Sequence, residues 1–435
     1  MDGNPSDLTL LLASAQQEID GLRDDPRMSS LEAGSRGVAL RSHVLDLIGA
    51  VEYRVAQSPT PSSPEPERRA FARSMRQSIL VLRGAHAALP WLEATRRPTL
   101  NLGSLYLTED CARSLVGNDV DLVVVPDPEF MYSTTSWMFS AVVISTPGFV
   151  AATTRRPIVL NYPLSDSDRL LLHPIFAHEL GHAAVDEHRL VADVEAALDN
   201  DPSFVAAFGK AVTDMEALWT AASPTQIAGT VRASLRQWIE ELLCDHLAVE
   251  ALGPAFLWAF SSFVMPLSYG VPAQSHPPNT LRTRLLITHL TERGWRAYLD
   301  RAAPNIMSWL DGIAADAASP IAMPYSFLRD QLLAYGQVLR DTALSRAGAH
   351  AMSPAEAEVG ANEAADLLAE TILPNGTHGP LDGRSILLGG WQHAFVEHGD
   401  HPGGIVAATR DRQIQELVGK AIEMSVVEQT WTEEA

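Results

Sequence analysis

Apolar residues recur at three- and four-residue spacing over 8–22, 36–56 and 67–93, which predicts three amphipathic helices that pack through their apolar faces. Between the second and third lies Ser58-Pro59-Thr60-Pro61-Ser62-Ser63-Pro64-Glu65-Pro66, and its prolines and serines predict a surface loop over 57–66. From about Thr99 the pattern changes to short β-branched runs: Leu122-Val123-Val124-Val125 within 120–126, Ala141-Val142-Val143-Ile144 within 139–146, and Ile158-Val159-Leu160 within 156–162. Proline, glycine and aspartate bound these runs, so they read as strands of a small sheet. Helical periodicity returns after Asp166 and continues nearly to the end, with no internal repeat of fixed period. The expected class is therefore α+β and mostly α-helical. Three regions are expected: N-terminal helices over 1–98, a core with the small sheet over 99–296, and C-terminal helices over 297–435.

Residues 251–271 carry no charge, which is long enough to raise the question of a membrane span. Gly253, Pro254, Pro266 and Gly270 break the run, so a buried helix over 255–265 followed by a loop is expected instead. The overall composition, 46% apolar and 20% charged over 435 residues, is that of a folded globular chain. Its 53 acidic and 32 basic residues give a net charge of −21, which disfavours nucleic acid as a partner because a phosphate backbone is repelled on average. Two cysteines, Cys111 and Cys244, cannot build a disulfide framework and fit a reducing compartment. The first residues, Met1-Asp2-Gly3-Asn4-Pro5, are acidic where a secretory signal is basic. A cytoplasmic location without a membrane partner is the expectation.

The segment with legible chemistry is His173-Pro174-Ile175-Phe176-Ala177-His178-Glu179-Leu180-Gly181-His182. Pro174 suits the first turn of a helix, where no amide donor is required. On that helix His178 and His182, four residues apart, share a face and can reach one ion, while Glu179 projects beside them toward a water on that ion. This is the HExxH arrangement of zinc peptidases, and zinc is the expected metal. A catalytic zinc needs a third protein ligand and one position left open. Two residues compete for that role. His188 lies at the offset used by metzincins, but their pattern places glycine three residues after the second histidine, where this chain has Val185. Glu241, in Gln237-Trp238-Ile239-Glu240-Glu241-Leu242-Leu243-Cys244-Asp245-His246, shares a helix face with Asp245 at four-residue spacing. Glu241 can then bind the metal while Asp245 accepts from a ligand imidazole, and the apolar flanks mark a helix where bare carboxylates need a reason.

Further along, Ser275-His276-Pro277-Pro278 is followed by Arg282. The ordered set HELGH over 178–182, Glu241 with Asp245, and His276-Pro277-Pro278 with Arg282 resembles the gluzincin metallopeptidases of the HtpX and CAAX prenyl protease type, over residues 137–290. The resemblance implies a zincin-like sheet and active-site helix flanked by helical regions. It further implies zinc held by His178, His182 and Glu241, with Glu179 as general base. His276 is implied to face the site, stabilising an oxyanion or binding substrate, and Arg282 to pair with acidic residues such as Asp245. A peptide or protein substrate is expected to add as a strand to the segment 157–162. Clear membrane spans, which that family has, are lacking here.

Other features have plainer readings. Cys244 is a small buried hydrophobe by type, and the histidine-rich stretch His393, Glu397, His398, Asp400 and His401 reads as a solvated helix end rather than a second metal site. Tyr269 has the chemistry to assist a transition state, with no spacing rule behind it. From the residues alone, a regulatory or interaction protein with a structural or vestigial zinc site, or a zinc hydrolase of non-peptide amides, stands beside the peptidase. Neither the cleavage specificity nor the oligomeric state is encoded in any of these motifs.

Overall fold

A computed structural model describes residues 5–29, 36–94, 100–127, 132–135, 142–143, 145–153, 155–264, 272–319, 321–373 and 380–434. The chain divides into two units, residues 1–99 with 117–164 and residues 100–116 with 165–435. This differs from the three expected regions, because the strands group with the N-terminal helices while the HExxH segment groups with the C-terminal half. Helices predominate and the sheet is small, so the mostly α-helical α+β class holds.

The first unit contains α1 (Pro5–Asp24), α2 (Pro26–Ser29), α3 (Arg36–Ala56), α4 (Glu65–Ala94) and a three-stranded sheet. The three long helices match the predicted periodic stretches. Their apolar faces, through Ile19, Leu47, Val51, Met75 and Leu82, enclose Val123, Val125 and Val159 of the strands in one core. That shared core is the physical reason the sheet belongs with these helices. Strand β1 (Val120–Asp127) runs parallel to β3 (Arg156–Pro163), with Val120 opposite Arg156, and β2 (Ser133–Thr135) runs antiparallel to β3 on its other side.

Two expectations fail in this unit. The segment 157–162, expected to offer an edge to substrate, is the central strand and is paired on both sides. Its continuous burial from Pro157 to Pro163 fits a strand covered on both faces rather than a free edge. The expected strand over 139–146 is also absent among the described residues, where Val142 and Val143 are helical. The cause is Arg54, a buried guanidinium that donates to the Val142 carbonyl and to the hydroxyls of Ser145, Thr146, Ser74 and Ser78. Wrapping a carbonyl and two hydroxyls around one guanidinium requires a turn, and burying that cation without oxygen acceptors would be costly.

The second unit starts with α5 (Leu102–Leu115), a helix capped by Asn101 within the stretch where short strands are expected from the sequence. It continues with α6 (Ile175–Glu187), α7 (Leu190–Asp199), α8 (Pro202–Glu216), α9 (Pro224–Leu252), α10 (Pro254–Val264) and α11 (Asn279–Glu292), and further helices run to Glu434. The longest helix named in this unit, α9, has a Ser223–Gln226 capping box at its start. It ends at Gly253, whose φ of 56° only glycine adopts without strain. From Trp238 onward nearly every residue of α9 is buried, which makes it the axis against which α6, α8 and α11 pack. The uncharged stretch forms α10, as expected up to Val264; its continuation, including Tyr269, lies outside the described residues. No described helix is long and apolar enough to cross a membrane.

Candidate metal centre

Helix α6 forms as the sequence predicts: Pro174 has helical φ without needing an amide donor, and the helix runs from Ile175 through Glu187. Its approach to α9 depends on Gly181, where an added Cβ would come within 2.9 Å of the Cys244 Cα and 3.2 Å of its Sγ. The glycine in HELGH thus lets two helix backbones meet closely enough for side chains from both to converge. Cys244 itself is fully buried, and burial pushes its thiol well above the ordinary range, as befits a packing residue.

Three side chains converge there: His178 and His182 from α6 and Glu241 from α9 present ligand atoms that all lie within 4.8 Å of one another. Among the described residues no other group of His, Cys, Asp and Glu does so. His178 Nε2 is 3.6 Å from Glu241 Oε2, and His182 Nε2 is 3.7 Å from Glu241 Oε1. Zinc bonds of about 2.1 Å at tetrahedral angles put ligand atoms about 3.4 Å apart. The spacing is therefore that of a first coordination shell and too long for direct hydrogen bonds, so the donor set fits zinc in chemistry and in size.

Each imidazole has its own carboxylate behind it. His178 Nδ1 lies 2.9 Å from Asp245 Oδ1, and His182 Nδ1 lies 3.0 Å from Glu240 Oε1, so both rings turn Nε2 toward Glu241. Asp245 is 1% exposed and is gripped in turn by Arg282, which donates from Nε at 2.8 Å and from Nη2 at 2.7 Å. The guanidinium lies over the Phe260 ring, 4.6 Å from its centroid, and Arg282 Nη1 is 3.6 Å from Glu241. Phe256 stacks along His178 from α10. Breaking a buried pair like Arg282–Asp245 from one side costs about 3–5 kcal/mol, because the remaining charge is stranded.

Charge settles accordingly. Burial opposes a proton on His178, but Asp245 and Glu241 outweigh it and lift the imidazole to about 10. Burial likewise opposes the Glu241 carboxylate, yet His178 and Arg282 hold it down at about 2. Asp245 is pulled below the ordinary carboxylate range by Arg282 and His178 against its own burial. Glu179 goes the other way: burial raises its pKa, and the neighbouring histidines only partly counter this.

His178, Glu179, His182, Glu241, Asp245 and Arg282 come together, and Arg282 makes the pairing that the resemblance implied. His276 reaches the same group from the loop before α11, its Nε2 3.5 Å from Glu241 Oε1, with its side chain 58% exposed and its Nδ1 2.8 Å from the Ser275 hydroxyl. His188 does not join the convergent group. Helix α6 runs past buried Val185 and turns only at Arg189, which takes a φ of 56°, so the early turn that would return His188 to the metal side does not form. The C-terminal histidine stretch is scattered among separate partners: His398 meets Asp411 at 2.9 Å, the Asp400 carboxylate accepts from the Asn305 and Ile306 amides, and His401 accepts from the Gly404 amide. Sequence reasoning missed Glu240. Its only signal was the acidic doublet Glu240-Glu241 at the start of the buried part of α9. Comparison with known proteins adds no family to this geometry, since no family model, curated protein or solved structure matches the chain.

Proposed function

We propose that this protein is a cytoplasmic zinc metallopeptidase of the gluzincin type, hydrolysing peptide bonds of a peptide or protein substrate, with His178, His182 and Glu241 as metal ligands and Glu179 as general base. The observation that carries the reading is the convergence of two Nε2 atoms and a carboxylate, each imidazole oriented by a separate acid, beside a buried glutamate. Zinc in such a site supplies Lewis-acid polarisation of a carbonyl and a lowered pKa for water. A purely structural site has no use for Glu179.

The chain's own groups divide the work. Glu179 takes a proton from the attacking water and passes it to the leaving amine, and its raised pKa brings the carboxyl nearer to neutrality, where both halves of that transfer are efficient. Asp245 and Glu240 fix the orientation of the two imidazoles, and Arg282 fixes Asp245. His276, exposed on the Glu241 side, is placed to donate to a substrate oxygen as charge develops on it. The buried, unpaired cysteines and the excess of acidic residues support a reducing, nucleic-acid-free setting.

The test is Glu179→Gln. The variant should bind zinc as the parent does while hydrolysis of a mixed peptide library falls about a hundredfold or more. Full hydrolysis by the variant would remove Glu179 from the mechanism and with it this assignment.

A further inference from the structure

An open surface cleft of about 880 Å³ lies in the second unit, lined by Leu218 and Trp219 of the turn after α8, by Gln226, Gly229, Thr230 and Ala233 of α9, and by Gln274. None of its described lining residues is charged, in a chain of net charge −21. Leu218 and Trp219 are 67% and 36% exposed, so the cleft offers apolar surface to solvent.

Two covalent leads connect this cleft to the metal centre. Gln226, Thr230, Ala233, Gln237 and Glu240 follow alternating four- and three-residue steps along α9, so they form one solvent-facing stripe. That stripe ends at Glu240, the carboxylate 3.0 Å from His182 Nδ1. On the other side Gln274 precedes by two residues His276, whose Nε2 approaches Glu241 at 3.5 Å. Ala233 and Glu240 are seven residues apart, about 10 Å of helix, which an extended peptide spans in about three residues; the far end at Gln226 is about twice as distant.

We propose that this cleft is a remote substrate site that takes an uncharged, apolar stretch of polypeptide about three to six residues from the bond to be cleaved. The proposal rests on the peptidase reading and adds the substrate class to it. An apolar side chain gains burial against Leu218 and Trp219, whereas a charged one would lose water and find no counter-ion among the described lining residues. Gln274 carries an amide that both donates and accepts, as an extended peptide backbone requires, whereas the Gln226 oxygen already accepts from the Ser223 amide in the capping box.

Gly229 provides the probe, because a Cβ there meets nothing within 4 Å. Gly229 lines the cleft, so a Gly229→Trp side chain starts from open space there, and Gly209, equally open at its Cβ but on α8 outside the cleft, is the control site. The zinc-loaded full-length Glu179→Gln chain is immobilised and exposed to random dodecapeptides, and retained peptides are sequenced by mass spectrometry; the parent chain digests the same mixture in parallel. Retained peptides should be enriched about tenfold in uncharged apolar stretches, the share that one buried apolar side chain contributes. Adding Gly229→Trp should abolish the enrichment, and adding Gly209→Trp should leave it intact. Enrichment that survives Gly229→Trp overturns the cleft assignment even if the parent digests peptides, and so does retention without apolar enrichment. Enrichment that Gly229→Trp removes, combined with no digestion by the parent, upholds the cleft and refutes the peptidase.

Discussion

Helix α9 carries two histidine–carboxylate clusters, and they differ in one respect that decides what each can do. Near its middle, Glu240, Glu241 and Asp245 meet His178 and His182, and the ligand atoms stand 3.6 and 3.7 Å apart around a shared space. One turn further on, His246 Nδ1 touches His289 Nδ1 at 2.7 Å, His289 Nε2 touches Glu250 at 2.5 Å, and Arg293 closes the chain at 3.3 Å from the same carboxylate. The second cluster is buried at its centre, with His246 at 0% and Glu250 at 2% exposure, and the two histidines and the carboxylate bond to one another, leaving His246 Nε2 without a hydrogen-bond partner. Residue types and helical spacing are alike in both. A group able to hold a metal differs from a structural relay in that its donors point at a common void instead of at each other.

This contrast can be broken in four places. The largest effect is expected for Glu250→Ala, which leaves the buried His289 without its carboxylate and half-buried Arg293 without a counter-ion and should lower stability by about 3 kcal/mol in chemical denaturation, while the molecules that remain folded bind zinc as before. Zinc loss at equal stability would mean that the two clusters are one network. Gly181→Ala should come next, because its methyl would press on the Cys244 backbone; a destabilisation of about 1–3 kcal/mol should appear together with weaker zinc binding. An unchanged denaturation midpoint and zinc affinity would show that the close approach of α6 to α9 is dispensable. Glu240→Gln should weaken zinc about tenfold in chelator competition, with little change in the denaturation midpoint because Glu240 is partly exposed. The smallest effect concerns pH. Burial holds His246 well below its ordinary pKa, and His289 adds to this, so the folded protein keeps it neutral while the unfolded chain protonates it below about pH 6.5. Stability from this site is complete above that pH and declines as the pH falls. His246→Gln should flatten that acid slope, whereas a slope unchanged in urea titrations at several pH values would place the proton elsewhere.

What could be read from the sequence was local. His178 with His182, and Glu241 with Asp245, are four-residue helical spacings, and a helix fixes their common face without help from the rest of the fold. Arg282 was legible only through the ordered set of motifs, because a buried and an exposed arginine look alike in sequence. The relay is invisible at that level, since His246 and His289 are 43 residues apart and nothing local marks either as buried. Glu240 was hidden for another reason: acidic residues on helices are usually solvated, and only the position of the His182 ring distinguishes this one. The failed strand over 139–146 has the right β-branched residues, but Arg54, on a distant helix, imposes a turn through its demand for oxygen acceptors. Similarly, the segment 157–162 reads correctly as a strand, while its place at the centre of the sheet depends on which segments pair with it.

The central claim is that α9 completes the metal site through Glu241, and metal analysis tests it directly. Purified protein dialysed against a zinc buffer should carry one zinc per chain, His188→Ala should carry the same, and Glu241→Ala should be nearly empty at an unchanged far-ultraviolet circular dichroism spectrum. Full zinc in Glu241→Ala, or its loss in His188→Ala, would contradict the account.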